Sequence, residues 1–279
     1  MNRARPFIKW VGGKTQLLPI LSQMMPKHYK TYYEPFVGGG AFFFHLQPKH
    51  AVINDVNPVL INAYRQIQKN VERVNLQLRI LDCNIARKGE PYFYEVRDFF
   101  NQKMRAGEYD TLLAAMFVFL SKHSFNGLFR LNAKGDYNTP SNHSDVLSTP
   151  ASDLLEVKEA LQYTNILCGD FQASLDWAKE GDFVFLDSPY APLKETSFDK
   201  YTEDGFAKED HERLAKTFRN LTEHGVSCML TNHGTPFIRR LYDGFHIHEV
   251  SVRRSINSDG KHRTGREVII TNYEPRIFP

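Results

Sequence analysis

One feature constrains this chain more than any other: a four-residue apolar run, Phe183–Leu186, is followed directly by Asp187-Ser188-Pro189-Tyr190. Phe183–Leu186 has the length and apolar character of a buried strand. A carboxylate, a rigid proline and an aromatic ring follow this strand. The strand therefore carries an acid and a flat ring at its carboxyl end, where open α/β sheets bind ligands. An amino group on a planar ring fits such a place.

The rest of the chain alternates strand-like and helical patterns at both ends. The other strand-like segments are residues 32–36, 51–54, 165–168, 226–230, 247–252 and 268–272. Residues 206–224 carry Leu214, Phe218 and Leu221 at helical spacing, and Gly225 follows as a stop signal. This alternation predicts an α/β fold with a mostly parallel sheet that is covered on both faces.

The middle of the chain has a different pattern. Residues 58–120 are mainly helical, whereas residues 121–150 are rich in Asn, Ser and Gly and have no helical period. We therefore predict an inserted domain over residues 58–150 and a main domain formed by residues 1–57 and 151–279.

Composition excludes several classes of protein. The 279 residues are 42% hydrophobic and 24% charged, as in an ordinary soluble globular protein, and the longest apolar stretch is too short to cross a membrane. The three cysteines form no CxxC pair, which favours a reducing, cytoplasmic location and argues against a structural zinc site. The net charge is only +3, so any nucleic-acid surface must come from local clustering.

A glycine loop follows the first predicted strand. Gly38-Gly39-Gly40 comes after Phe36-Val37, and Asp55 ends the next strand, where an acid can bind both ribose hydroxyls of an adenosine. The dinucleotide fingerprint needs a third glycine where Phe43 stands, so the loop favours S-adenosylmethionine, which has no pyrophosphate. The alternative is a tight turn beside a surface aspartate.

A second glycine pair, Gly12-Gly13-Lys14-Thr15, looks like part of a phosphate-binding loop. That motif needs a glycine where Ile8 stands and a preceding strand that the sequence lacks. Binding of a nucleoside triphosphate is therefore disfavoured. Lys9, Trp10 and Lys14 remain candidates for lining a ligand site.

The order of these motifs resembles that of a known enzyme family. In chain order they are Lys9-Trp10 with Gly12-Gly13-Lys14, Glu34-Pro35-Phe36-Val37-Gly38-Gly39-Gly40, Asp55, Asn126-Gly127-Leu128-Phe129-Arg130, Gly169-Asp170-Phe171 and Asp187-Ser188-Pro189-Tyr190. The chain closely resembles, over essentially its whole length, the Dam group of DNA adenine-N6 methyltransferases of the α type.

The resemblance implies a Rossmann-like S-adenosylmethionine-dependent methyltransferase sheet with an inserted, mainly helical target-recognition domain that carries a β-hairpin. It implies methylation of adenine N6 in duplex GATC DNA. The implied cofactor-binding residues are Trp10, Lys14, Phe36, Gly38, Gly40, Asp55, Asp170, Phe171 and Asp187. The implied catalytic residues are Asp187, Ser188, Pro189 and Tyr190, and the implied DNA-binding residues are Lys9, Phe125, Asn126, Leu128, Arg130, Asn138, Pro140, Arg253 and Arg254.

The chemistry agrees with these roles. Adenine within a duplex is out of reach and must be flipped into the site. Asp187 and the Ser188 carbonyl would accept the two N6 protons, which frees the nitrogen lone pair, and Tyr190 would stack on the base.

DNA contacts are expected from two segments. Residues 121–140 are predicted to form a recognition hairpin that turns at Asn126-Gly127. Arg130 would read guanine and Phe125 would wedge between opened base pairs. A basic stretch formed by Arg253, Arg254, Lys261, His262, Arg263 and Arg266 is predicted to grip phosphates, although charged loops are often only solvated.

Ser188 is the main departure from the family, whose members usually carry DPPY. The change keeps the carbonyl but loses the fixed φ of proline, so catalysis is expected to be retained but slower. Three alternatives stay open at this stage: the same chemistry on cytosine N4, on adenine in RNA, or an inactive GATC-binding homologue. A zinc deaminase is excluded, because its H-x-E and P-C-x-x-C elements are absent. The expected location is the nucleoid, and a cognate restriction endonuclease acting on the same site is a further implied partner.

Overall fold

The structure is a computed structural model that describes residues 4–10, 12–144, 147–193, 206–253 and 264–275. Of the predicted basic stretch, Arg254, Lys261, His262 and Arg263 lie outside the described residues. Arg253 and Arg266 lie in strands that are described by their backbone alone at these two positions. The predicted phosphate contacts of this stretch therefore stay predictions.

Within the described residues the strands form one seven-stranded sheet. The strands are β1 Tyr32–Glu34, β2 Ala51–Asp55, β3 Thr164–Cys168, β4 Phe183–Leu186, β5 Ser227–His233, β6 His246–Arg253 and β7 Thr264–Thr271. Their order is β3-β2-β1-β4-β5-β7-β6. The β1–β2, β1–β4 and β4–β5 pairs are parallel, whereas β7 is antiparallel to β5 and β6. The prediction of a mostly parallel α/β sheet is confirmed.

The parallel register places the carboxyl ends of the central strands β1, β4 and β5 side by side. Tyr32 of β1 pairs with Phe183 of β4, which pairs with Ser227 of β5. All four residues of β4 are buried, as expected for a strand covered on both faces. Asp187 therefore follows a central strand, as the sequence predicted.

Helices connect the strands and form most of the inserted segment. They are α1 Leu18–Met24, α2 Ala41–Leu46, α3 Pro58–Lys88, α4 Glu90–Ala106, α5 Thr111–His123, α6 Ala151–Ala160, α7 Lys208–Glu223 and α8 Pro236–Leu241. The Asn57 side chain caps α3 by accepting from the backbone N–H groups of Val59 and Leu60. Helix α5 packs against α3 and α4 and is buried along almost its whole length. The predicted helical character of residues 58–120 is confirmed.

The backbone contacts divide the chain into two compact units. The first comprises Met1–Thr15, Val37–Lys49 and Asn54–Gly169, and the second comprises Gln16–Phe36, His50–Ile53 and Asp170–Pro279. The first unit has α3, α4 and α5 as its helical core, and the second has a core of side chains from β4, β5, β7 and α7. The predicted division into domains at residues 58 and 150 rests on the change in sequence pattern there and stays a prediction.

Three further features of the described residues bear on function. No helix in this part of the chain is long and apolar enough to cross a membrane. The same residues contain no group of three or more His, Cys, Asp or Glu side chains placed to hold a metal ion. Cys83, Cys168 and Cys228 are all free thiols.

Candidate active site

The glycine loop is built around the carboxylate of Asp55. Gly38 has φ 48° and Gly40 has φ 68°, in the left-handed region that favours glycine. The Gly38 N–H donates to Asp55 Oδ2 at 3.1 Å, and the Gly38 carbonyl accepts from Tyr64 Oη at 3.0 Å. The loop is therefore fixed from both sides within the first unit.

Neighbouring side chains lie too close to this loop for any side chain larger than glycine. A Cβ added at Gly38 would lie 2.8 Å from Trp10 Cδ1, and one added at Gly40 would lie 2.6 Å from Tyr64 Oη. Glycine thus lets Trp10 and Tyr64 pack directly on the backbone.

Asp55 has the properties of a ligand-binding carboxylate. Its Oδ1 accepts from the Asn57 N–H at 2.9 Å. Burial raises the pKa of this carboxyl above its usual value, and backbone N–H donors, including those of Asn57 and Gly38, partly oppose the rise. A carboxylate accepts about four hydrogen bonds, so acceptor capacity remains beyond these backbone donors. The residue therefore fits the ribose hydroxyl of an adenosine.

The aromatic ring of Trp10 joins the glycine loop to the inserted segment. The indole stacks on Phe129 with ring centroids 5.8 Å apart and lies edge-on to Phe117 at 6.3 Å. Lys14 donates through Nζ to the Gly12 carbonyl at 2.8 Å. Trp10 and Gly38 are thus brought together, as their shared predicted role requires.

Lys9 lies against the inserted segment through its backbone and its stem. Its N–H donates to Ser121 Oγ at 3.1 Å. A Cβ added at Gly127 would lie 2.5 Å from Lys9 Cβ, so only glycine fits there. Lys9 is exposed on the surface, as a DNA-contacting residue must be.

A hairpin is present where the sequence predicted one, with antiparallel bridges between Ser124 and Ser141 and between Leu131 and Tyr137, but its turn was wrongly placed. The reversal lies at Asn132–Asp136, where the Asn132 side chain accepts from the N–H groups of Lys134 and Asp136. Asn126-Gly127 instead forms a short 3-10 turn, Phe125–Gly127, at the base of one arm. Asn-Gly favours positive φ, and both residues have it (55° and 66°), but this turn continues the arm rather than reversing it. Residues 121–123 are the last residues of α5 rather than part of the hairpin.

The arms of the hairpin hold the predicted DNA-binding side chains. Phe125 is 55% exposed, and its N–H donates to the Pro140 carbonyl at 2.9 Å. Arg130 is exposed and donates through Nε to Asn138 Oδ1 at 2.8 Å. The half-buried Leu128 accepts through its carbonyl from Thr139 Oγ1 at 2.8 Å. The hairpin thus exposes one aromatic ring and one oriented guanidinium group.

In the second unit, two phenylalanines and an ion pair follow the ends of β1 and β3. The rings of Phe36 and Phe171 are 5.3 Å apart between centroids. Asp170 accepts from both terminal nitrogens of Arg213 at 2.7 Å, which holds the pKa of that carboxyl below its usual value. The Arg213 guanidinium lies 4.3 Å from the Phe171 ring centroid. Asp170 therefore anchors Arg213 over Phe171.

The tetrapeptide is held by the end of the neighbouring strand β5. Thr231 Oγ1 donates to Asp187 Oδ1 at 2.6 Å, and Asn232 Nδ2 lies 3.5 Å from Ser188 Oγ. Ser188 is buried, and Pro189 is exposed. The carboxylate and the carbonyl-bearing backbone that follows it are therefore fixed at the carboxyl end of β4.

Tyr190 is anchored through its hydroxyl group. Its Oη donates to Glu267 Oε2 at 2.8 Å, and its ring lies edge-on to His233 at 4.9 Å. Burial, with Asp187 and Glu267 nearby, raises the pKa of Tyr190 well above its ordinary value. The phenol therefore keeps its proton and remains a donor.

Sequence reasoning missed Tyr64, Phe129, Arg213, Thr231, Asn232, His233 and Glu267. For three of them a signal existed: Thr231-Asn232-His233 directly follows the predicted strand 226–230, whose carboxyl end lies beside that of β4 and Asp187. Phe129 lies within the Asn126–Arg130 motif but was given no role there, and the others contact the site across long stretches of chain and leave no local pattern.

Comparison with known proteins gives a consistent result. Residues 10–256 match the family model described as D12 class N6 adenine-specific DNA methyltransferase. The Type II methyltransferase M1.LlaDCHI of Lactococcus lactis subsp. cremoris is 39% identical, covering 96% of this chain and 95% of its own. The Type II methyltransferase M.MjaIII of Methanocaldococcus jannaschii is 36% identical, and the match covers 96% of this chain and 99% of that protein. The DNA adenine methylase of Escherichia coli K12 is 30% identical, and the match covers 99% of this chain and 98% of that protein.

Proposed function

The chain belongs to the D12 class of N6 adenine-specific DNA methyltransferases, whose methyl donor is S-adenosylmethionine, and from this we propose that it methylates adenine within duplex GATC by flipping the base. The family establishes the reaction and answers the cytosine and RNA alternatives. The target sequence, the flipping step and the residue roles are the proposal.

The observation that carries the proposal is the anchored tetrapeptide at the end of β4. Asp187 Oδ1 accepts from Thr231 Oγ1 at 2.6 Å, so the carboxylate has a fixed position at the carboxyl end of β4. Asp187 and the Ser188 carbonyl accept the protons of N6, which raises the nucleophilicity of the nitrogen. Tyr190 stacks on the flipped ring and keeps it aligned for in-line attack.

The cofactor supplies an activated methyl group on a positively charged sulfur. Asp55 binds the ribose hydroxyls, and the Gly38–Gly40 loop lets the backbone approach the cofactor closely. Phe36 and Phe171 provide an apolar surface for its adenine, and the ion pair of Asp170 with Arg213 borders this surface. Trp10 and Lys14 complete the set in the first unit.

GATC is favoured by the resemblance to the Dam group and by the form of the hairpin. Arg130 is oriented by Asn138, so two of its donors can be presented to the O6 and N7 atoms of guanine. The exposed ring of Phe125 replaces stacking lost when the adenine leaves the helix. Lys9, Asn126 and Pro140 contribute backbone and groove contacts, and Arg253 and Arg254 grip phosphates.

Ser188 is compatible with activity. Its buried Oγ lies 3.5 Å from Asn232 Nδ2, a side-chain contact that proline cannot make. This contact favours a working enzyme over an inactive GATC-binding homologue.

Methyl transfer to matched duplexes tests the proposal. Labelled S-adenosylmethionine is incubated with one duplex that contains a single GATC and one that contains GTTC instead. We expect incorporation into the first duplex alone, recovered as N6-methyladenine. Equal incorporation into both would reject the target sequence, and none into either would reject activity with Ser188.

A further inference from the structure

A hydrogen bond links the ring of the catalytic tetrapeptide to strand β7. Tyr190 Oη donates to Glu267 Oε2 at 2.8 Å. Glu267 pairs with His233 of β5 in the antiparallel register, so the two side chains share one face of the sheet. The His233 ring lies edge-on to Tyr190, with 4.9 Å between centroids and 77° between planes. Two neighbouring strands thus contact the same tyrosine ring.

The backbone beside this ring is already fixed without Glu267. The buried Ala191 donates through its N–H to Asn232 Oδ1 at 2.9 Å. Its carbonyl lies 2.8 Å from His233 Nδ1, which must be the donor because a carbonyl only accepts. The orientation of the Tyr190 side chain is set separately, by hydrogen bonds of its hydroxyl to Glu267 and to Thr231.

Holding the orientation of the Tyr190 side chain does not by itself require a charged acceptor. Asp187 already places negative charge close to Tyr190, and both acids oppose ionisation of the phenol. A neutral acceptor would satisfy the hydroxyl without adding a second charge. The charge becomes useful if the group stacked on the ring becomes positive, because an electron-rich ring face attracts cations.

Methyl transfer creates such a charge. The bond from the methyl carbon to sulfur breaks as the bond to N6 forms, so the positive charge passes from the sulfur, which leaves as a neutral thioether, to N6, which afterwards loses one proton to water. Donation from the phenol to a carboxylate is a strong, charge-assisted hydrogen bond and increases electron density in the ring. A ring held in this state stabilises the developing cation more than the neutral base.

We propose that Glu267 is a positioning residue for methyl transfer, which sets the orientation and the electron density of the Tyr190 ring against the adenine that is methylated. The inference rests on the proposed base flipping, because only an extrahelical base can stack on Tyr190. It assigns a role in the reaction to a residue of β7.

A double-mutant cycle measured by single-turnover methyl transfer tests this role. The variants are Glu267→Ala, Glu267→Gln, Tyr190→Phe and the double variant Tyr190→Phe with Glu267→Ala. We expect Glu267→Ala to lower the rate roughly ten-fold, as loss of a charged hydrogen-bond partner does, and Glu267→Gln to lose less because its amide oxygen still accepts. In the Tyr190→Phe background, Glu267→Ala should change the rate by less than about two-fold.

A fluorescence measurement provides a readout that does not depend on turnover. The probe is a duplex that carries 2-aminopurine in place of the adenine that the wild-type protein methylates. Flipping should increase its emission, and stacking on Tyr190 should quench part of that increase. Glu267→Ala should give a brighter complex than wild type at unchanged affinity for DNA and cofactor. Glu249→Ala, which removes an exposed carboxylate on β6, is the matched control and should match wild type.

Three results would overturn the inference. The first is a Glu267→Ala variant with the rate and the emission of the wild type. The second is an equal loss of rate from Glu267→Ala in the wild-type and Tyr190→Phe backgrounds. The third is a wild-type complex with no increase in emission, which rejects base flipping itself and is distinct from the other two. If Glu267→Ala does not fold, Glu267→Gln carries the same comparisons.

Discussion

The indole of Trp10 stacks on the ring of Phe129, with planes inclined at 23° and centroids 5.8 Å apart. The same indole packs beside the backbone of Gly38, a residue proposed to bind the cofactor. Phe129 belongs to the hairpin proposed for DNA recognition. One ring therefore contacts both the loop proposed for the cofactor and the hairpin proposed for DNA, so under that proposal each ligand would stabilise the arrangement that the other needs.

Phe129→Leu should weaken binding of S-adenosylmethionine even though Phe129 is not among the proposed cofactor-binding residues. The shorter side chain loses the stacked contact, so Trp10 no longer packs firmly on Gly38. We expect roughly a three- to ten-fold rise in the cofactor Kd, as for loss of one aromatic pair, measured by calorimetry without DNA. Phe125→Leu is the matched control, because Phe125 is exposed on the same hairpin and should leave this Kd unchanged.

Cofactor affinity should fall as pH is lowered through the pKa of Asp55. The protonated carboxyl accepts fewer hydrogen bonds, and burial raises the pKa of this group. The loss should therefore begin at a higher pH than for an aspartate of the usual pKa, about 3.9. Asp55→Asn should bind weakly at every pH and lack this slope. A wild-type Kd that stays constant down to the pH of acid unfolding would contradict the ribose role.

Arg130→Ala should reduce kcat/KM on GATC by roughly ten- to a hundred-fold, the range for loss of a bidentate guanine contact. Asn138→Ala should have a smaller effect in the same direction, because it removes the acceptor that orients Arg130. Both variants should discriminate less against a duplex in which the guanine is replaced. An equal loss on both duplexes would instead indicate a phosphate contact.

Ser188→Pro should raise the single-turnover rate by roughly two- to ten-fold, because proline fixes φ and restricts Asp187. Ser188→Ala is the control: it removes the contact with Asn232 without adding rigidity and should be slower than wild type. A Ser188→Pro variant slower than wild type would show that the serine contact holds the tetrapeptide better than proline does.

Local patterns predicted the elements well and the long-range contacts poorly. The strand ends at Asp55 and Asp187 follow from short apolar runs, and the helices of residues 58–120 follow from their periodicity. The hairpin turn was misplaced because Asn126-Gly127 adopts the predicted positive φ in a different kind of turn. Thr231 and Glu267 were missed because their partners lie 44 and 77 residues away in the chain. Such pairs are set by sheet order and register, which the sequence does not state.

The antiparallel end of the sheet has a similar origin. Residues 247–252 and 268–272 were predicted as strands, but nothing in their apolar pattern distinguishes a parallel from an antiparallel partner. The structure pairs β7 with both β5 and β6 in the antiparallel sense, which brings Glu267 opposite His233. The proposed role of Glu267 beside Tyr190 depends on that register.

Mapping every methylated base in DNA of random sequence tests the central claim most directly. The purified protein and S-adenosylmethionine are incubated with a mixed-sequence duplex library, and each N6-methyladenine is read with its flanking bases. We expect N6-methyladenine at the adenine of GATC on both strands and at background level elsewhere. Methylation centred on another sequence, or at adenines regardless of context, would contradict it.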